Sequence, residues 1–304
     1  MRDVPREVRN VLQPSPLGPE SRLKFRCHKG VSCFNACCSH IDIVLTPYDM
    51  IRLRQRLGIT PEAFLYEFAE PSTLTKGQLP VALLAMDKQT GRCPFNTPEG
   101  CSVYEDRPVT CRYYPIGMAL MHRQEASRNE EFFVLIKEDY CKGHEEPKEW
   151  SVAEWRADQG ADLYDAENRE WFDIIVKRRS AGDMVKSSLP LSEFFYMAST
   201  NPDEMRRFVF QSSFLKRYTV DEATVAAIRE DDAALTRFAF RWMSSAMFGE
   251  EGAVAVRPEA VQEARERRAA KAHAAALERV ARAERGEADA YPPVDEEDEE
   301  ERQG

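Results

Sequence analysis

The chain has 304 residues, 43% hydrophobic and 31% charged, with a formal net charge of -10. That length allows one large domain or two ordinary ones. No run of about 18 apolar residues is present to span a bilayer, and the acidic balance argues against a duplex-binding surface. The first twenty residues carry arginines and prolines but no apolar signal core, which points to a cytoplasmic, reducing setting.

Residues 1–22 read as a flexible lead-in, because Pro5, Pro14, Pro16 and Pro19 interrupt any helix. His40 to Leu45 alternates in polarity and suggests a short strand. Thr46-Pro47-Tyr48-Asp49 then opens a helix, with Thr46 as N-cap, Pro47 at the first helical position and Asp49 three residues on. That helix carries Met50, Ile51, Leu53 and Leu57 and stops at Gly58. Thr60-Pro61-Glu62 repeats the start for a second helix through Phe64, Leu65 and Phe68. Residues 79–86 and 131–140 are apolar enough for strands. Between them Gly91, Pro94, Pro98, Gly100, Pro108, Pro115 and Gly117 make a turn-rich stretch poor in core pattern, where a bound metal is a better organiser than apolar burial.

Beyond residue 149 the pattern turns helical. Ser151-Val152-Ala153-Glu154 is a capping box, followed by a loose stripe of Trp155, Leu163, Trp171, Ile174 and Ile175. Asn201-Pro202 starts another helix with Met205, Phe208, Val209, Ser212, Phe214 and Leu215 behind it, and residues 219–248 read as one or two more. Aromatic residues at this spacing are core. Residues 257–286 are rich in Ala, Arg and Glu and read as a solvated helix or an extension onto a protein partner; residues 287–304 end in an acidic run expected to be disordered. From residue 257 onward nine Lys/Arg face fourteen Asp/Glu, half of the chain's negative excess.

The chemistry lies in eight cysteines, all in the first half: Cys27, Cys33, Cys37, Cys38, Cys93, Cys101, Cys111 and Cys141. Thiols clustered in a reducing compartment are metal ligands more often than disulfide partners. Zinc, iron and copper(I) favour soft thiolate, and four thiolates complete a zinc shell or hold one iron–sulfur cluster. Eight therefore serve two four-ligand sites, or one site with four thiols left over. The spacing lacks the paired C-x2-C knuckles of a zinc ribbon. The side chains of adjacent Cys37 and Cys38 are expected to diverge, toward two metals or around a multinuclear one. His28, His40 and His144 lie within three residues of a cysteine and are further ligand candidates. Arg107 and Arg112 flank Cys111, either offsetting a polythiolate charge or pairing with Glu105, Asp106 or the tail.

Other chemistries find no support. Cys33-x3-Cys37 is followed at the third position by His40, so the radical S-adenosylmethionine motif is broken, and the strand–helix repeats it needs are missing. Phosphate-binding glycine loops, a legible catalytic triad and a basic stripe interleaved with aromatics are likewise missing from the sequence.

Several blocks taken in order resemble the YkgJ-type cysteine-cluster family, the CxxCxxCC zinc- or iron-chelating domain. FRCHKGVSCFNACC resembles its opening cluster, DIVLTPYDMIRLRQRLGIT the strand and helix after it, CPFNTPEGCSVYEDRPVTCRYYPIG its second cluster and Cys141-Lys142-Gly143 its closing C-x-G. The opening spacers, C-x5-C-x3-CC, are longer than the family's name implies. The resemblance covers residues 25–145 and implies chelation of zinc or iron; one branch of similar proteins is associated with lysine N-methylation of flagellin and an iron–sulfur cluster.

The expected fold is α+β: an irregular metal-nucleated module at 23–148, a helical domain at 149–250, a helical extension at 251–286 and an acidic tail at 287–304. The expected function is cytosolic metal binding through all eight cysteines, with zinc, iron or an iron–sulfur cluster as cofactor. The alternative is a metal- or Fe–S-dependent protein-modifying enzyme such as a lysine N-methylase. A protein partner for the C-terminal helix and tail is expected, and neither nucleic acid nor membrane.

Overall fold

The computed structural model describes residues 16–73, 79–121, 130–181, 189–249 and 254–285. The chain forms two compact units, one of residues 1–214 with 220–254 and a smaller one of 215–219 with 255–304.

The larger unit begins on β1 (Arg22–Lys24). Residues 16–22, expected as part of a free lead-in, are pinned: Leu17 exchanges backbone hydrogen bonds with Phe133 at 2.7 and 3.2 Å. Leu17 is partly buried against an apolar core, which compensates the order imposed on a proline-rich stretch. A short 3-10 turn (Ala36–Cys38) leads to β2 (Val44–Leu45), only the last part of the expected strand. Helix α1 (Pro47–Leu57) has the capping box expected at Thr46 and Asp49, and Gly58 ends it in the left-handed conformation, φ 66°. Helix α2 (Pro61–Phe68) follows from Thr60, then β3 (Ala69–Ser72) and β4 (Val81–Leu84). Strands β2, β4 and β3 form one antiparallel sheet in that order. Leu53 of α1 and Phe64 of α2 are fully buried against it, each contributing about 2–3 kcal/mol by burial.

Hairpin β5 (Asn96–Thr97) and β6 (Gly100–Cys101) precedes the short helix α3 (Val109–Tyr113). Strands β7 (Ile116–Met121) and β8 (Glu130–Leu135) pair antiparallel, and β8 ends five residues before the stretch expected to be strand does. Strand β9 (Glu149–Ser151) returns to pair with β1, Leu23 opposite Trp150. The stripe behind Ser151 is two helices, α4 (Val152–Gln159) and α5 (Ala161–Ala181), parted by Gly160 at φ 64°. Then come α6 (Leu189–Thr200), α7 (Pro202–Gln211) and α8 (Phe214–Arg217), the last two separated at Ser212.

Strand β10 (Tyr218–Thr219) belongs to the smaller unit; α9 (Glu222–Glu230) and α10 (Asp232–Phe248) complete the larger one. Arg54 of α1 and Arg206 of α7 both pair with Asp232 at the start of α10, Arg206 at 2.5 Å. In the smaller unit β10 pairs with β11 (Ala255–Val256), and α11 (Pro258–Glu284) follows with Val261, Leu277 and Val280 exposed. The acidic tail lies outside the described residues. The whole is a mixed α+β fold with small sheets, as expected. No described helix is long and apolar enough to cross a membrane.

Two apolar clusters meet near the cysteines. One gathers Leu23, Phe25, Val109, Tyr113, Ile116, Phe133, Val152 and Trp155; the other gathers Ile43, Leu45, Met50, Leu53, Phe64, Leu84, Phe95 and Val103.

Candidate metal centre

Each cysteine is placed by a backbone anchor. Cys27 follows β1, and its neighbour Arg26 donates its N–H to the Gly143 carbonyl at 3.0 Å, which draws the Cys141 segment alongside. Only glycine fits at 143, because a Cβ there would stand 2.6 Å from the Phe25 ring. The Lys142 N–H donates to Cys33 Sγ at 3.1 Å. Asn35, left-handed at φ 66°, opens the turn holding Cys37 and Cys38. The Cys93 N–H donates to the Cys38 carbonyl at 2.9 Å, Cys101 sits on β6 opposite Asn96, and Cys111 rides on α3.

All eight cysteines line one cavity of about 540 Å³, together with Phe34, Arg107, Tyr114, Tyr140 and Trp150. The cavity lies between the two apolar clusters: Phe25 and Trp155 of one and Ile43, Leu84, Phe95 and Val103 of the other reach its wall. All eight thiols are free. Among the described residues no three Cys, His, Asp or Glu side chains already stand close enough to hold one ion, so closure on a metal requires thiol rotation about χ1 between staggered positions.

The electrostatics suit a cation. Although Cys27 as a residue is exposed, its thiol is partly covered, and that desolvation pushes it up to about 11, with the nearby charges of Cys37, Cys33 and Cys141 adding to it. Burial also raises Cys111, with Cys93, Asp49, Cys101 and Cys37 adding. Cys37 is raised as well, chiefly through the neighbouring Cys38 thiol and then by burial. Backbone N–H groups oppose the rise: Phe95 and Asn96 toward Cys93, Val103 toward Cys101 and Gly143 toward Cys141. Amides aimed at sulfur tune metal–thiolate centres, and a bound cation deprotonates such thiols outright. The donor set therefore fits a soft metal.

Arg107 is 7% exposed; its guanidinium donates to the Tyr104 carbonyl and to Gln159 Oε1, both at 2.6 Å. Arg112, 6% exposed, donates to the carbonyls of Arg107, Gln159 and Glu105 and to the Tyr164 hydroxyl. Neither pairs with a carboxylate among the described residues: Asp106 is taken by Arg52 at 2.5 Å, and Glu105 offers only its backbone. Of their two sequence readings, ion pairing with Glu105 or Asp106 is set aside.

No described histidine lines the cavity. His28 bonds Glu146 at 3.2 Å and accepts the Gly30 N–H. The His40 ring fills the space beside Gly91, where a Cβ would stand 2.4 Å away. His144 stacks edge-on against Phe25 at 5.2 Å.

Tyr114, Tyr140 and Glu138 were not singled out by the sequence reading. Both hydroxyls donate to Glu138 Oε2, at 2.9 and 2.5 Å, beside Cys141 and Cys37. The run Cys111-Arg-Tyr-Tyr-Pro was the available signal for Tyr114; Glu138 carried none.

Residues 26–142 match the family model CxxCxxCC, described as "Putative zinc- or iron-chelating domain". The matched segment holds all eight cysteines, so this part of the chain is similar to that domain. Neither the curated proteins nor the solved structures contain a match to the chain.

Proposed function

We propose that this protein holds zinc or iron as thiolate complexes of Cys27, Cys33, Cys37, Cys38, Cys93, Cys101, Cys111 and Cys141. The observation that carries the reading is that eight thiols, drawn from separate segments of the chain, face one cavity. Four-thiolate coordination would supply folding free energy to a region otherwise joined by short strands and turns. An iron–sulfur cluster fits the same donors, since cysteine thiolates with amide N–H groups aimed at sulfur are its usual setting. Eight thiols free of disulfides agree with a reducing cytoplasm. The exposed Val261, Leu277 and Val280 of α11 support docking of a protein partner.

A second reading, a metal- or Fe–S-dependent protein-modifying enzyme such as a lysine N-methylase, draws on the aromatic wall of the cavity. Tyr114, Tyr140 and Trp150 leave room beside the thiols for more than ligands, and a catalytic metal keeps one position open.

The test is metal and acid-labile sulfide per chain, with a visible spectrum, on protein purified without oxygen. Iron with matching sulfide selects the cluster and raises the enzyme reading; zinc without sulfide selects the thiolate complex. Protein with neither metal after anaerobic loading overturns the proposal.

A further inference from the structure

We propose that the eight thiols form two poles of unequal lability: a retained pole at Cys93, Cys101 and Cys111, backed by buried Arg107, and an exchangeable pole at Cys27, Cys33 and Cys141, with the Cys37–Cys38 pair shared between them. The inference rests on the zinc- or iron-holding reading above.

The retained pole is built on rigid parts. Cys101 is locked in the β5–β6 hairpin, where the Ser102 N–H also donates to the Phe95 carbonyl at 2.9 Å. Cys111 rides on α3, whose Val109 N–H is held by Asp49 at 2.8 Å. Cys93, Cys101 and Cys111 all pack against the apolar cluster of Ile43, Leu84, Phe95 and Val103. Arg107 lies in this part of the wall, in the field of Cys111 and Cys101. A buried guanidinium without a counter-charge is costly. Four thiolates around a divalent ion carry a net charge of about -2, so loading this pole gives Arg107 the anion that the described protein groups do not.

The other pole opens to solvent at one end and has less apolar backing. Cys27 is exposed, and of its three cysteines only Cys141 packs against an apolar cluster. Cys33 and Cys141 meet through the Lys142 N–H, and the Lys142 ammonium, nearly half exposed, already pairs with Glu145 at 2.9 Å. Water and competing ligands reach this pole through Cys27, the exposed one of the eight. The shared pair joins the poles: the Cys38 carbonyl accepts the Cys93 N–H, while Cys37 bears on both Cys27 and Cys111.

The experiment follows zinc release from the zinc-loaded full chain into excess chelator. Two phases are expected, separated by roughly tenfold or more in rate, as differences in outer-shell support produce. Cys27→Ser should remove the fast phase and keep the slow one. Arg107→Met should speed the slow phase by about ten- to hundredfold and leave the fast phase alone, while Arg107→Lys, which keeps the charge, should stay near the parent. Gln159→Leu frees one of Arg107's two holds without touching a thiol and should move the slow phase in the same direction, a check should Arg107→Met fail to fold. A single phase from zinc-bearing protein overturns the proposal, as does a slow phase indifferent to both Arg107→Met and Gln159→Leu. An Arg107→Lys variant as fast as Arg107→Met also overturns it, by assigning the effect to packing. A chain that takes up neither zinc nor iron overturns the metal reading instead.

Discussion

One carboxylate oxygen of Asp49 accepts the backbone N–H of Val109 at 2.8 Å, across 60 residues of sequence. The other accepts the N–H of Thr46 at 2.9 Å, closing the capping box of α1. A single buried side chain thus fixes the start of α1 and the start of the helix that carries Cys111. Asp49→Ala removes a cap and leaves the Val109 N–H without its partner. The expected loss is about 2–4 kcal/mol, measured as a fall in the urea midpoint, accompanied by loss of the metal held at Cys111.

The same residue predicts a pH dependence. Burial pushes the Asp49 carboxyl up to about 6, against the hydrogen bonds that favour its charge, while the unfolded value is about 3.9. Between those values the folded chain keeps a proton that the unfolded chain has released. The stability contributed by this group is therefore full below about pH 4, falls as pH rises and is gone above about pH 6. Metal-stripped protein should lose stability across that window, and Asp49→Asn should flatten the dependence. A profile identical in the two proteins would remove Asp49 as its source.

Gly143→Ala tests the junction between Cys27 and Cys141. The added methyl meets the Phe25 ring at 2.6 Å and the Arg26 carbonyl at 3.1 Å. Overpacking of this kind costs about 1–3 kcal/mol. A calorimetric scan should record a lower Tm, and metal at the Cys27 end should fall before that at the Cys101 end. Unchanged melting would mean that Phe25 gives way freely.

Asp232→Ala leaves Arg54 and Arg206 without their shared carboxylate at the junction of α1, α7 and α10. Removing the shared partner of this partly buried network costs about 1–3 kcal/mol. Denaturant unfolding should locate that loss in the apo and loaded proteins alike, since none of the three side chains lines the cysteine cavity. A loss confined to the apo form would contradict this.

Local chemistry was readable where a helix start carries its own punctuation. Thr46-Pro47-Asp49, Thr60-Pro61 and Ser151-Glu154 place three helices because caps act within four residues. The breaks at Gly160 and Ser212 were missed because the apolar stripe continues across them. The tie of Leu17 to Phe133 and the β1–β9 pairing leave no periodic trace, since their partners lie more than a hundred residues apart. At the site the ligand types were legible and the grouping was not. The three histidines near cysteines in sequence sit outside the cavity lining, His28 against Glu146, His40 beside Gly91 and His144 against Phe25.

The clasp between the two ends of the cysteine region sets an order of assembly. The Trp150 indole N–H donates to the Phe25 carbonyl at 2.9 Å across 125 residues, alongside the β1–β9 pairing. A chain emerging from the ribosome can fold the β5–β6 hairpin early, because its pairing is local, and the partners of α3 and Cys93, Asp49 and Cys38, have already been made by then. It cannot bring Cys27 to Cys141 until residue 143 has been made, and the β1–β9 clasp closes only after residue 151. Cys27 and Cys33 therefore wait, reduced and separate, for the end of that stretch of synthesis, and an oxidant or a stray copper ion would find them most easily in that interval.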